Sequence, residues 1–387
     1  MIAMPWIVIV ICFTFCTVIC LLNQAYSKIL SFALTLMFTL FATLYYFNGV
    51  DWLNYYYVFD YFQKQFDIRY DLLFNTYLFG MANVTDIFQI AIFIFYFFCF
   101  YLLYRLTLSS VIVLNGPAFI TCVVMLGGLS LVLDQIRQFA AITISFFACN
   151  SLMRDNRRGF YKYLIIAVLF HYSAIFVLLF RFFYRMRKAQ IVFAGGAIIG
   201  IFVFLGGVVL LNLGLVANIP VVGPELYRKA TLYTRDINSF KAEIGFGAFV
   251  DVLIISYYLA KRNMVDAYLD RMWSLAFICS CFHLGFYFMP AFSRFNYFAF
   301  IPLAYIFSHA LTTQRNKMGF IPVVVIVSAV SMMIIIVTAK TFSDPNRPSW
   351  NEYSVDAAFY NTNELDQLRS NRCAMLQIDA SDFCAAY

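Results

Sequence analysis

Two arginines stand where apolar helices are expected to begin. In Leu133-Asp134-Gln135-Ile136-Arg137-Gln138, an acid suited to capping precedes a long apolar run, and Arg137 enters the first turn. The helix dipole disfavours a cation there. Pro290-Ala291-Phe292-Ser293-Arg294-Phe295 repeats the arrangement, with Ser293 as the cap and Arg294 in the first turn. A guanidinium beside the open N–H groups of a helix start is suited to an anion, and phosphate oxygens accept from both. The plainer alternative is a pair of solvated interfacial arginines. Two separate helices bringing the same arrangement to the same face favour the anion site, with Gln138 beside Arg137 as a further donor.

His171 is one of three histidines. It lies midway along the apolar stretch Phe160–Phe180, beside Tyr172 and Ser173. It reads either as a hydrogen-bonded structural group or as one that binds substrate or moves a proton. Asn48-Gly49-Val50-Asp51-Trp52-Leu53-Asn54-Tyr55 combines a carboxylate with aromatic rings, and Asp51 and Tyr55 share a face if the segment is helical. Carboxylate to hydroxyls and ring to apolar sugar face is one chemistry that this supports. Arg69 and Asp71 follow downstream. A second polar segment carries Glu225, Tyr227, Arg228, Lys229, Tyr233, Arg235 and Asp236, which reads as a solvated loop or as a cap over an embedded site.

The elements that must position these groups belong to a bilayer. Of 387 residues, 63% are hydrophobic and 12% charged, which excludes an ordinary water-soluble domain. Apolar segments fall at 2–22, 29–47, 87–104, 111–132, 137–152, 190–212, 244–260, 272–290, 295–311 and 319–338, so about ten transmembrane helices are expected. Segment 160–180 is flanked on both sides by basic groups: Arg154, Arg157, Arg158 and Lys162, then Arg181, Arg185, Arg187 and Lys188. Basic residues in short loops stay on the cytoplasmic side. Read as a re-entrant pair of short helices, this segment keeps both groups inside, together with Lys28, Arg105, Lys261, Arg262, Arg271, Arg315 and Lys317. Only Arg137 and Arg294 are then left in short outer loops. Loops 48–86 and 213–243 and the polar tail 341–387 are then outside, and residues 1–340 form one polytopic all-α domain.

No paired acids for a metal–nucleotide site, no P-loop and no glycine-rich dinucleotide motif occur, and no Cys/His spacing suits zinc. No metal, cofactor or nucleic-acid partner is expected.

Four motifs in order carry a family resemblance: Gly49-x-Asp51-Trp52-x-x-Tyr55, Ile136-Arg137-Gln138 followed by Ala140-Ala141, His171-Tyr172-Ser173-Ala174 after a basic turn, and Arg294 before an apolar span with Pro302. Together they resemble the EpsG-like branch of the Wzy polysaccharide polymerases over residues 1 to 340. One departure is Tyr45-Tyr46-Phe47-Asn48, where an arginine is expected shortly before the Gly-x-Asp. The resemblance implies a metal-independent glycosyltransferase of the GT-C type in the bacterial inner membrane, active at the periplasmic face. It implies donor and acceptor oligosaccharides linked to undecaprenyl pyrophosphate, surrounding membrane lipid, and a separate chain-length regulator protein. On that basis Arg137, Gln138 and Arg294 would hold the pyrophosphate. Asp51, His171 and Glu225 are the candidate catalytic groups, and Trp52, Tyr55, Tyr227 and Tyr233 the candidate sugar contacts. A lipid-linked oligosaccharide flippase and an O-antigen ligase are the competing readings. A flippase fits less well, because no internal repeat is visible.

Overall fold

The structure is a computed structural model. It describes residues 23–46, 49–63, 70–129, 135–211, 246–260, 266–286 and 290–318, with shorter pieces at 11, 14–19, 131–132, 352–353 and 367. These residues are almost wholly helical. The α-helices are α1 (Ser27–Thr43), α2 (Gly49–Phe62), α3 (Leu72–Ala82), α4 (Phe88–Ser109), α5 (Gly116–Leu129), α6 (Ile136–Met153), α7 (Arg157–Phe170), α8 (Val177–Phe183), α9 (Lys188–Leu211), α10 (Phe246–Ala260), α11 (Ala267–Phe286) and α12 (Phe300–Met318). Segments Tyr172–Phe176 and Pro290–Ala299 are 3₁₀ helix. Strands β1 (Tyr45–Tyr46) and β2 (Glu352–Tyr353) pair antiparallel, Tyr45 opposite Tyr353, and tie part of the tail to the end of α1.

Three described helices are long and apolar enough to cross a membrane: α4, α6, and residues Lys188–Leu205 of α9. The apolar segments read from sequence at 2–22 and 319–338 lie outside the described residues. The chain divides into two units, residues 1–172 with 307–387, and residues 173–306.

In the first unit, α1 wears its polarity inward. Ser31, Thr35, Thr39 and Thr43 recur every four residues and are buried, while Ile29, Phe32, Leu36 and Leu40 are exposed. Each hydroxyl is satisfied by the carbonyl one turn back: Ser31 Oγ on Ser27 O at 2.6 Å, Thr35 on Ser31 at 3.0 Å, Thr39 on Thr35 at 2.8 Å and Thr43 on Thr39 at 2.7 Å. Small hydroxyl residues make a narrow face for close helix approach, and the outward apolar face is what a lipid environment tolerates. α1 packs on α4 and α5 through this face. Gly116, at the start of α5, comes so near that a Cβ there would meet Ser31 Oγ. Gln89 Nε2 donates to Thr43 O at 2.6 Å and closes the other end.

α6 is buried on nearly every side, between α4 and α7. Ala140, Ala141, Ser145, Ala148 and Cys149 allow this close packing, and Phe139 and Phe146 fill against Phe100 and Phe119 at ring distances of 5.3 and 5.1 Å. The turn to α7 is fixed by Asn156, whose Oδ1 accepts from Gly159 N at 2.9 Å, and by Asp155 in the left-handed region at φ 54°. The segment read from sequence as an outer loop, 48–86, contains two helices, α2 and α3. The stretch 160–180 is not one helix. α7 ends at Phe170, His171 is extended (φ −161°, ψ 122°), and the 3₁₀ turn and α8 follow.

In the second unit, α11 packs on α9, α10 and the Pro290–Ala299 segment. Ile191, Tyr258, Phe277, Ile278 and Cys281 form its core, and the Tyr258 hydroxyl is hydrogen-bonded to Ser274 Oγ at 2.9 Å. Two glycines permit the approach of α9: a Cβ at Gly195 would lie 2.5 Å from Phe277, and one at Gly285 would lie 2.9 Å from Phe202. Phe193, Ile201 and Phe204 leave α9 with a broad exposed apolar face.

Candidate functional site

Arg137 is the second residue of α6, and its surroundings assemble from three other stretches of the first unit. Its Nη1 donates to Asp71 Oδ2 at 2.8 Å, and its Nε donates to the Tyr55 hydroxyl at 3.2 Å. The guanidinium lies over the Tyr70 ring, 4.5 Å from its centre, and 5.6 Å from the centre of Tyr55. The side chains of Arg137 and Asp71 are only 14% and 15% exposed. A cation in such a place is held by charge on one edge and ring faces on another.

Local structure explains each partner. α2 contains both Asp51 and Tyr55, four residues apart. Tyr55 is 1% exposed and packs edge-on against Tyr70 and Phe74, with ring centres at 5.2 and 5.0 Å. The approach to α3 is clamped by buried Asn75. It accepts from Tyr70 N at 3.1 Å and donates to Tyr70 O at 2.6 Å. Asp71 is the N-cap residue of α3, but its side chain makes no cap bond. It serves Arg137 instead, and its second oxygen accepts from Tyr172 N at 3.3 Å. Burial pushes the Asp71 carboxyl above its usual value, and the Arg137 charge offsets part of that rise.

The Tyr172 contact brings the histidine motif to the same place. His171, 2% exposed, caps α7 at its C-terminal end, donates its backbone N–H to Ala167 O at 2.9 Å, and stacks its ring on Tyr172 at 4.9 Å. Gln138 is buried on α6. Three motifs read separately from the sequence thus meet around the Arg137–Asp71 pair: the first outer segment through Tyr55 on Arg137, the α6 start through Arg137 itself, and the histidine motif through Tyr172 on Asp71. Asp71 and Tyr70 received no role from the sequence. The one signal was an acid directly ahead of the apolar run of α3, which also fits an ordinary helix cap.

The helix starts differ from expectation. α6 begins at Ile136 with Gln135 as N-cap, which makes no side-chain cap bond, and Asp134 lies outside the described residues. Arg294 is not in the first turn of an α-helix. It lies in the 3₁₀ segment Pro290–Ala299, and α12 begins only at Phe300. Pro302 supplies the reason: it has no N–H for an α-helical bond to Phe298, so it sits in a first turn and fixes the start of α12 behind it. The side chains of Asp51, Trp52 and Arg294, and residues Glu225, Tyr227 and Tyr233, lie outside the described set. Among the described residues, no group of His, Cys, Asp and Glu is arranged to hold a metal ion.

Long apolar helices and an arginine secured at a helix start define a membrane protein built around a charged centre. The family can be stated more closely. A family model, the EpsG family, matches residues 28–355, and the chain belongs to that family. At this level the function is polysaccharide-polymerase-like, that of a glycosyltransferase-type protein acting on lipid-linked oligosaccharides in a membrane. No curated protein and no solved structure matches the chain.

Proposed function

We propose that this protein is a Wzy-type polymerase. It transfers a growing glycan from undecaprenyl pyrophosphate onto the next lipid-linked repeat unit at the periplasmic face of the inner membrane. The fold read with this function is GT-C-like, with about ten spans and a re-entrant pair at 160–180. The helix break at His171 supports the re-entrant pair. The observation that carries the reading is Arg137, held at a helix start between a carboxylate and two tyrosines.

The chemistry needs three things. The acceptor hydroxyl oxygen attacks the anomeric carbon, the bond from that carbon to the pyrophosphate oxygen breaks, and the hydroxyl gives up its proton. The leaving group departs with the bonding electron pair, so charge grows on the pyrophosphate in the transition state. Arg137, Gln138 and Arg294 are assigned to that charge, each well-placed donor contributing about 3–4 kcal/mol. Before substrate arrives, Asp71 keeps Arg137 neutralised in a half-dry site, and the incoming pyrophosphate replaces the carboxylate on the guanidinium. Tyr55 and Tyr70 hold the arginine plane during that exchange. Trp52, Tyr227 and Tyr233 are assigned to the sugars, with Tyr55 contributing through Arg137. Asp51, His171 and Glu225 are the candidate proton acceptors. The 1–340 region is taken as one membrane domain, and the tail 341–387 as periplasmic.

The test is the surface-glycan profile of cells lacking the gene. Collapse of a ladder to core plus one repeat is expected. Loss of every repeat, with lipid-linked single units accumulating, would point to a flippase, and lipid-linked polymer that never reaches its acceptor would point to a ligase. Restoration with R137A or R294A should give normal protein and single repeats without long chains. Normal chain lengths in both would remove the phosphate assignment. A reporter fused after Lys188 should stay cytoplasmic, and an external signal would remove the re-entrant pair.

A further inference from the structure

The helices of the first unit bring a row of cations to one end. Arg154 follows the last residue of α6, and its Nη2 donates to Ser109 O at the end of α4. Asn150 ties the same two ends, donating Nδ2 to Ser109 O at 3.3 Å and accepting from Val111 N at 3.2 Å. α5 follows α4 after a short loop and starts beside α1, where Gly116 N donates to Ser27 Oγ at 3.4 Å. α7 begins next to Arg154 after one tight turn. Lys28, Arg105, Arg154, Arg157, Arg158 and Lys162 therefore share this end, and all six are exposed. Among the described residues of that rim, the acid is Asp155.

The charge is placed against local preference. Arg157 and Arg158 occupy the first turn of α7, where the helix dipole disfavours a cation. The helix start itself is closed by Asn156, which accepts from Gly159 N. Cations gathered on one rim also repel one another, the more so beside a low-dielectric layer. An external anion relieves both effects.

The rim lies where a membrane begins. α4 and α6, both long and apolar enough to cross, end at it. Arg137 stands at the other end of α6, about 25 Å away along the axis at about 1.5 Å per residue, close to the thickness of a hydrocarbon core. The outward side of α7 grades in the same direction. Arg157, Arg158, Tyr161 and Lys162 are exposed in its first turns, and Ile165, about 12 Å beyond Arg157, continues that side as apolar surface. The buried residues of α7 are Phe160, Leu164 and Ala167. Tyr26, beside Lys28, is exposed as well, and Lys162 lies 5.9 Å from the centre of the Tyr163 ring. Charge, then tyrosine, then apolar surface is the order of headgroups, aromatic belt and acyl chains. An acidic soluble protein would match the cations but not the apolar surface directly beneath them.

We propose that this rim binds the phosphate headgroups of anionic phospholipids in the leaflet opposite the Arg137 site. The guanidinium groups of Arg157 and Arg158 and the ammonium of Lys162 donate to the phosphate oxygens, and the acyl chains run along the apolar side of α7. This rests on the membrane character of the chain and not on the polymerase reading.

The experiment uses the full-length protein purified in neutral detergent. It is titrated with phosphatidylglycerol or with phosphatidylcholine, bound lipid is counted by native mass spectrometry, and melting is followed in parallel. Phosphatidylglycerol should bind at least about tenfold more tightly and raise the melting temperature, and high salt should weaken it, because exposed charges are screened. R157Q/R158Q/K162Q should lose about 100-fold in affinity for phosphatidylglycerol, about fivefold per cation, and melt as the wild type does without lipid. A triple variant that binds phosphatidylglycerol as the wild type does overturns the proposal. Equal affinity for the two lipids also overturns it and leaves the rim to an acidic protein. Inorganic phosphate that raises the melting temperature as much as phosphatidylglycerol overturns it too, since the rim is then an anion site and not a lipid surface. If the triple variant does not fold, R157Q and R158Q decide singly: a loss of about fivefold in each supports the proposal, and wild-type affinity in both overturns it.

Discussion

Replacing Arg137 by lysine separates what its charge does from what its shape does. The ammonium can follow Asp71, so the ion pair survives in some form. It cannot also give the directed bond to Tyr55, nor lay a plane over Tyr70. The Tyr55 bond is long at 3.2 Å, which puts it near the low end for a hydrogen bond to a charged group, about 1.5 kcal/mol. The ring contact at 4.5 Å is mostly shielded from water, and trading guanidinium for ammonium costs about 1 kcal/mol of it. The loss is about 2–3 kcal/mol. If the arginine's orientation matters most when the pyrophosphate leaves, that loss appears in the transition state, and kcat/KM falls about 30- to 150-fold. Extension of extracted lipid-linked repeat by R137K proteoliposomes measures it directly. R137A should in addition melt slightly earlier at neutral pH, because Asp71 loses its partner, but protonation of that carboxyl, which burial already favours, limits the loss and leaves the protein folded. An R137K protein within threefold of wild type would show that only the charge is needed, and the role given to Tyr55 and Tyr70 would fall.

Three further outcomes follow from the same packing. Asp71 holds its proton more tightly in the fold than in the unfolded chain, so its contribution to stability is fully present below the ordinary value of 3.8 and is lost as pH rises through the raised folded value. The melting gap between D71N and wild type should therefore change across that window, and a gap independent of pH would contradict the burial of this carboxyl. Asn75→Ala removes both bonds that clamp the Tyr70 backbone; it should cost about 2 kcal/mol in detergent and reduce polymer formation without removing the protein. Gly195→Leu should force α9 from Phe277 and Cys281, lowering stability by about 1–3 kcal/mol, whereas the same change at Gly196, where an added Cβ meets nothing within 4 Å, should be nearly silent.

Much of the helical frame was legible because lipid imposes a simple rule: a span must be apolar and long. The segments read at 137–152 and 190–212 coincide closely with α6 and α9. Segment 48–86 obeys no such rule: α2 is aromatic-rich and mixed in polarity, and α3, though apolar, has only 11 residues, too few to cross, so the segment read as a loop. The start of α12 was legible in principle, since Pro302 restricts where an α-helix can begin, but the Ser293-Arg294 pair resembled a cap more strongly. Arg137 and His171 stood out because a lone charge or imidazole in an apolar stretch is conspicuous. Their connection did not, because it runs through Asp71, which is 66 residues from Arg137 and 101 from Tyr172. A carboxylate bound to partners that distant leaves no spacing in the sequence. The same holds for Asp251 and His283, 32 residues apart on neighbouring helices. In a chain this apolar, charged groups find one another across helices rather than along them, because the bilayer offers no water as an alternative partner. The residues most worth testing are therefore those whose partners lie far away in the sequence.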